Sequence, residues 1–239
     1  MKKFYSLFIL LLLSLVITSC SKKDDNPTGP EASGTAPTFP TITFKGPNTS
    51  STDTYATQTN SVITAFNGFP QMLSGPFSAV KPSSEGGDWK WVVSPGNGAT
   101  ETFYATKNSD GSFTWRLILN GKVDADEDAY NNWKAVDGYT SADGKNGNWK
   151  IYKPNTTSTV AEFSWTTNSS GTLTGTIIEY DGSTVSSKME VVNNADNSGS
   201  LKQYGANAVL EFQSSWKADG SGEWHSYNNG VEDNHGNWQ

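Results

Sequence analysis

From residue 87 onward the chain reads as short runs in which apolar and polar residues alternate. In "SFTWRLILNG", Phe113, Trp115, Leu117 and Leu119 share one face while Thr114 and Arg116 point the other way. "VAEFSW" sets Phe163 and Trp165 against Glu162 and Ser164; "VLEFQSSW" sets Leu210, Phe212 and Trp216 against Glu211 and Gln213. Side chains alternate across a strand, so such runs predict antiparallel strands with one face on a core and one in water. Between the runs lie "NSDG", "SADG", "NSSG", "YDGS", "NADNSG" and "KADGSG". Asn and Asp tolerate left-handed backbone and Gly adopts it freely, which marks these stretches as hairpin turns.

A second regularity overlies the first. A Gly, one spacer and an apolar residue recur at Gly87 (Trp89), Gly111 (Phe113), Gly147 (Trp149), Gly171 (Leu173), Gly199 (Leu201), Gly222 (Trp224) and Gly236 (Trp238). The expectation is that Gly ends a turn and the apolar residue is the first inward side chain. Tyr152, Tyr204 and Tyr227 follow three residues after Trp149, Leu201 and Trp224, with the opposite parity, and so belong on the outer surface. Repeats of this kind report architecture.

Together these patterns predict an all-β fold: an antiparallel up-and-down meander of roughly 10–12 strands, closed as a barrel, with a meander β-sandwich as the alternative. Closure would remove the exposed edges of a long meander. One helix is predicted over 52–69, with Tyr55, Val62, Phe66 and Phe69 near one face, Thr52 or Asp53 as cap and Gly68 as terminator. It would plug or cap one end of the barrel. "TFPTITFKGP" (38–47) reads as a first edge strand, confined there by Pro40 and Pro47. In architecture alone this resembles the calycin-like ligand barrels, none of whose motifs is legible here.

The N-terminus carries a different signal. "MKK" is a short basic stretch, "LFILLLLSLVI" an apolar run of secretory length, and "ITSC" ends on the chain's one cysteine. These residues resemble the signal peptide and lipobox of bacterial lipoproteins. The resemblance implies cleavage before Cys20 and acylation of its thiol and new amino terminus. It leaves no cysteine for a disulfide. Ser21 occupies the place of an inner-membrane retention Asp, which implies outer-membrane sorting. "KKDDNPTGP" resembles the charged surface-export tag of Bacteroidota lipoproteins, with Lys23, Asp24 and Asp25 in the matching place; a soluble linker start is the alternative. The expected organisation is a signal peptide at 1–19, lipidated Cys20 with a disordered tether to 38, and one β-domain over 39–239.

Composition narrows the function. Aromatic residues make up 12% of the chain and the net charge is −7, with no basic stripe of the kind phosphate backbones require, which argues against nucleic acid. Catalytic motifs are absent: no G-x-S-x-G, no H-E-x-x-H and no phosphate-cradling loop. The two histidines, His225 and His235, both lie near the C-terminus. Glu162, Glu179, Glu190 and Glu211 could pair as acid and base only if two converged. Asp124, Asp126 and Asp128 alternate as in the start of a Ca²⁺ loop, but Ala129 and Ala135 stand where such a loop needs Gly and Glu. Residues 121–132 therefore read as an acidic surface insertion, a place where function is often carried. Trp89 and Trp91 share a face and would, if exposed, form a platform for sugar rings; burial in the core is the alternative.

The expectation is an envelope lipoprotein, held at the outer membrane by its acyl anchor, that binds or carries an apolar or glycan ligand without catalysis and without a cofactor or metal. A structural or assembly partner in an envelope complex is the alternative, and a glycan-processing enzyme a weaker one.

Overall fold

The computed structural model describes residues 35–47, 52–96, 98–122 and 129–239. Cys20, the lipobox, most of the tether and Asp124, Asp126 and Asp128 lie outside the described residues.

Among the described residues, thirteen strands form one antiparallel sheet in strict sequence order. They are β1 (Ser83–Glu85), β2 (Asp88–Gly96), β3 (Ala99–Lys107), β4 (Phe113–Gly121), β5 (Tyr130–Thr140), β6 (Asn146–Tyr152) and β7 (Thr159–Thr167). Then come β8 (Leu173–Asp181), β9 (Thr184–Asn193), β10 (Gly199–Tyr204), β11 (Leu210–Trp216), β12 (Gly222–Asn228) and β13 (Val231–Trp238). The meander holds, but β1 and β13 are not paired, so the expected closed barrel is replaced by an open sheet with two edges.

Helix α1 (Thr54–Ser74) lies against one face of this sheet. Asp53 caps it, its carboxylate accepting from the N–H groups of Tyr55 (2.8 Å) and Ala56 (3.0 Å). The helix runs past Gly68, where it was expected to stop, because Phe69 and Leu73 prolong the buried stripe of Val62 and Phe66 at spacings of three and four. Burial of those side chains outweighs the ~1 kcal/mol that a mid-helix glycine costs. Tyr55 stacks on Trp224 of β12 with centroids 3.5 Å apart, Phe69 packs on Phe163 of β7, and Phe77, in a 3-10 turn after the helix, meets Phe103 of β3.

These contacts require a curved sheet. From β3 to β12 is nine strand spacings, roughly 43 Å if flat, whereas a 21-residue helix is about 31 Å long. The sheet must therefore curl around the helix, as wide twisted sheets do. Every strand from β2 to β13 buries at least one apolar side chain in the trough, the large ones including Trp91, Phe103, Trp115, Trp149, Phe163, Ile177, Phe212 and Trp238.

Residues 38–47 do not form the expected edge strand. They run extended inside the trough, with Phe39 against Trp91, Phe103 and Trp115, and Phe44 against Phe66. Two asparagines replace a strand partner. Asn67 accepts from Phe44 N and donates to Phe44 O, and Asn193 does the same for Lys45. Helix and strap together fill the space a hollow barrel would offer to a ligand.

The Gly-x-apolar series divides into two physical classes. Gly87, Gly111 and Gly171 have positive φ and do end turns. Gly147, Gly199, Gly222 and Gly236 are instead strand residues whose missing side chain makes a seat for a cross-strand indole. A Cβ at Gly147 would lie 2.2 Å from Trp165, at Gly199 2.4 Å from Trp216, at Gly222 2.3 Å from Trp238 and at Gly236 2.9 Å from Trp224. In each case the Trp is the glycine's direct partner across the ladder. The indole N–H of Trp165, Trp216 and Trp238 then donates to a turn carbonyl, of Gly144, Asn197 and Gly220 respectively. Each of these three rings lies over the bare strand beside it and bonds to the turn that precedes that strand, so it ties one hairpin to the hairpin before it.

The turns have chemistry of their own. Asp110, Asp196 and Asp219 each accept from the N–H and hydroxyl of the serine two residues on, and Asp143 accepts from Ser141 Oγ and Lys145 N. Hydrogen bonds to the charged form hold all four carboxyls below the usual aspartate range.

Candidate functional site

Trp89 and Trp91 are buried, 6% and 4% exposed, so the two do not form an exposed stacking platform. Trp91 is packed between Phe39 and Trp115.

The four strand carboxylates do not converge. Glu162 pairs with Lys150 (3.2 Å), and Glu190 with Lys188 (2.6 Å) and the Tyr204 hydroxyl (3.0 Å). Glu179 accepts from Ser187 Oγ, while Glu211 lies beside the backbone of Gly205. Glu190 keeps a lowered pKa, because its Lys188 and Tyr204 hydrogen bonds outweigh the burial that would raise it.

The repeat tyrosines do reach the outer face. There Tyr204 sits under Lys188, and Tyr152 under Lys134 with its hydroxyl toward Asp137. Each ring lies under a lysine ammonium that is itself paired to the carboxylate the tyrosine hydroxyl reaches, Asp137 or Glu190. Nearby, Arg116 lies over Tyr104 and binds Asp88 at 2.7 Å.

At the rim of the sheet, where β5 begins, a groove of about 650 Å³ opens. Its aromatic wall comes from Trp133 and Tyr152, and its polar wall from Asn131, Asn132, Asn155, Thr156 and Thr157, with Lys134 between. Local strand irregularity builds it. The β4–β5 register shifts at Leu117/Ile118 and again at Leu119/Gly121, which breaks the alternation and lets Tyr130 and Trp133 stack at 5.1 Å. Trp133 is half-buried, its body against the core edge and its indole N–H donating to Thr156 O (3.2 Å). Asn155 donates to Ala129 O (3.3 Å), tying the β6–β7 loop to the start of β5. Asn132 and Asn155 both hold positive φ, a backbone that asparagine tolerates better than most residues. None of the described lining residues is Asp or Glu.

The sequence pointed to the insertion but not to Trp133. The signal present was "YNNW", in which two aromatics three apart break the strand alternation on either side of two amides.

The two histidines come together. His225 and His235 are direct partners across β12 and β13, their rings 5.8 Å apart, and Glu232 bonds to both. Comparison with family models and with curated proteins gives no match, so these sites are read from their own chemistry. Among the described residues no helix is long and apolar enough to cross a membrane.

Proposed function

We propose that this chain is an acyl-anchored envelope lipoprotein, attached through Cys20, whose β-domain binds a glycan at the rim groove without catalysis. The observation that carries the reading is the pairing, in one groove, of aromatic rings with a row of amide and hydroxyl side chains. Sugar rings present apolar C–H faces that pack on aromatics and hydroxyls that exchange hydrogen bonds with Asn and Thr. Trp133, Tyr152, Asn131, Asn132, Asn155 and Thr157 supply both kinds of contact.

The competing readings have less behind them. Carriage of an apolar ligand needs an open interior, and the trough is occupied by α1 and residues 38–47. Glycoside hydrolysis needs two facing carboxyl groups, and the described groove offers none. Assembly by strand addition would use a sheet edge. However, β1 is three residues long, and β13 carries exposed Glu232 and Asp233, the latter the extra residue of a bulge, features that blunt edges.

The test is calorimetric titration of the full chain with neutral oligosaccharides released from its own envelope. Saturable binding that is lost in Trp133→Ala supports the reading. Equal binding by wild type and Trp133→Ala, or none at millimolar sugar, refutes it.

A further inference from the structure

The chain's two histidines lie opposite each other on β12 and β13, and Glu232, which touches both, is there because of a backbone irregularity. Along a regular strand Glu232 and His235, three apart, would point to opposite faces. The β12–β13 ladder pairs Ser226 with Asn234 and Tyr227 with Glu232, leaving Asp233 as an extra residue. That bulge restores parity and turns Glu232 onto the outer face with His225 and His235. Ser226 Oγ pins it by donating to Asp233 Oδ1 (2.8 Å). Bulges at sheet edges recur where a side chain must be re-aimed.

The geometry points to a divalent transition-metal site formed by His225, Glu232 and His235. Each imidazole Nδ1 lies 3.0 Å from one oxygen of Glu232, and one donor atom from each residue falls within 4.8 Å of the others. Donors sharing one ion at ligand distances of about 2.0–2.2 Å stand roughly 3 Å apart. The two nitrogen–oxygen spacings are already of that order, and exposed side chains close the remaining gap by rotation about χ angles.

Without an ion, Glu232 holds the two rings through their Nδ1 hydrogens. With one, each ring presents its Nδ1 lone pair and carries its proton on Nε2. Two imidazoles and one carboxylate suit Zn²⁺, Co²⁺, Ni²⁺ or Cu²⁺ and disfavour Ca²⁺ and Mg²⁺, which take oxygen ligands. Three protein ligands on an exposed hairpin leave at least one position for water or an outside donor.

The test uses the untagged full chain, titrated with Zn²⁺ by calorimetry and with Co²⁺ by visible absorption. One equivalent is expected to bind. Losing even an outer-shell partner of a metal commonly costs about 10–100-fold in affinity, so His225→Ala and His235→Ala should each weaken binding by roughly 100-fold or more, and Glu232→Gln by at least about tenfold. In the wild-type chain, one equivalent of Co²⁺ should broaden the ring resonances of both histidines, a readout that does not depend on any variant folding. Absence of binding below millimolar Zn²⁺, unbroadened histidine resonances, or unchanged affinity in the His225→Ala/His235→Ala double variant would each overturn the proposal.

Discussion

Gly138 offers a sharp test of how the trough is packed. It sits in β5 opposite Trp149 of β6, and a Cβ placed on it would lie 2.1 Å from Cε3 and 2.3 Å from Cζ3 of that indole. Ordinary carbon–carbon contact begins near 3.5 Å, so the ring would have to retreat by about 1.4 Å. It has nowhere to go. Trp149 is 1% exposed and braced by Trp115 at 5.9 Å and Phe103 at 6.1 Å. No other residue contributes to the three nearest clashes, in contrast to Gly147 and Gly199, where backbone carbonyls also intrude. Overpacking a rigid core costs ~1–3 kcal/mol, and this geometry belongs at the upper end. Gly138 does not have positive φ, so without the ring an alanine should stabilise by ~0.4–1 kcal/mol through the unfolded chain. The sign should therefore reverse with the partner. Gly138→Ala is expected to destabilise the wild-type chain by about 2–3 kcal/mol and to stabilise Trp149→Leu slightly, a coupling of about 3 kcal/mol. Trp149→Leu is a suitable background because it also removes a buried indole N–H with no hydrogen-bond partner. Urea unfolding of the four chains measures the cycle. Equal effects of Gly138→Ala in both backgrounds would show that the indole is not seated on that glycine.

Other consequences follow from buried polar groups and from the anchor. Thr59, fully buried on α1, donates to Tyr55 O or shares a hydrogen with Ser214 Oγ at 2.9 Å, so Thr59→Val should cost ~1–3 kcal/mol by stranding Ser214, and Thr59→Val/Ser214→Ala should recover most of it. Glu101 is buried in β3, and desolvation raises its pKa above the 4.5 of a free glutamate. Its folded form holds a proton that the unfolded chain releases, so its contribution to stability declines as pH rises from about 4.5 through the raised value. Glu101→Gln should stabilise the protein at pH 7 and leave it nearly unchanged at pH 4, by urea midpoints at each pH. The turn aspartates work in the opposite sense. Their carboxyls are held below 3.8, so the stability they add is present above that pH and lost as pH falls through the lowered values. The N-terminal peptide of the wild-type chain should begin at Cys20 and carry acyl mass, and Cys20→Ala should carry none, by mass spectrometry; an unacylated wild-type N-terminus would refute the anchor.

The strand faces were legible because period-two alternation needs nothing beyond the strand itself: Phe113, Trp115, Leu117 and Leu119, or Phe163 and Trp165, declare their side locally. The hairpin turns were legible for the same reason. Closure was not, because pairing of the first and last strands leaves no mark near either; what decides it is the bulk of Tyr55, Phe66, Phe69 and Phe39 filling the trough. The 38–47 segment has the alternation of a strand, yet its partners are the side chains of Asn67 and Asn193, residues remote in sequence. The glycines misled in an instructive way. A turn glycine and a glycine under an indole look alike in one dimension, and only the cross-strand register separates Gly171 from Gly147. The two proposed sites share that difficulty. Trp133 and Glu232 both owe their direction to a register shift, which breaks the alternation that made the rest readable.

The central functional claim is that a glycan occupies the groove beside Trp133. The nine tryptophans give nine indole N–H resonances, so a ¹⁵N-labelled full chain can report contact at each. Titration with oligosaccharides from the native envelope should shift the Trp133 indole to saturation. The indoles of Trp165, Trp216 and Trp238, tied to turn carbonyls, should stay in place. An unmoved Trp133 resonance at saturating sugar, or a shift centred on any other tryptophan, would contradict the account.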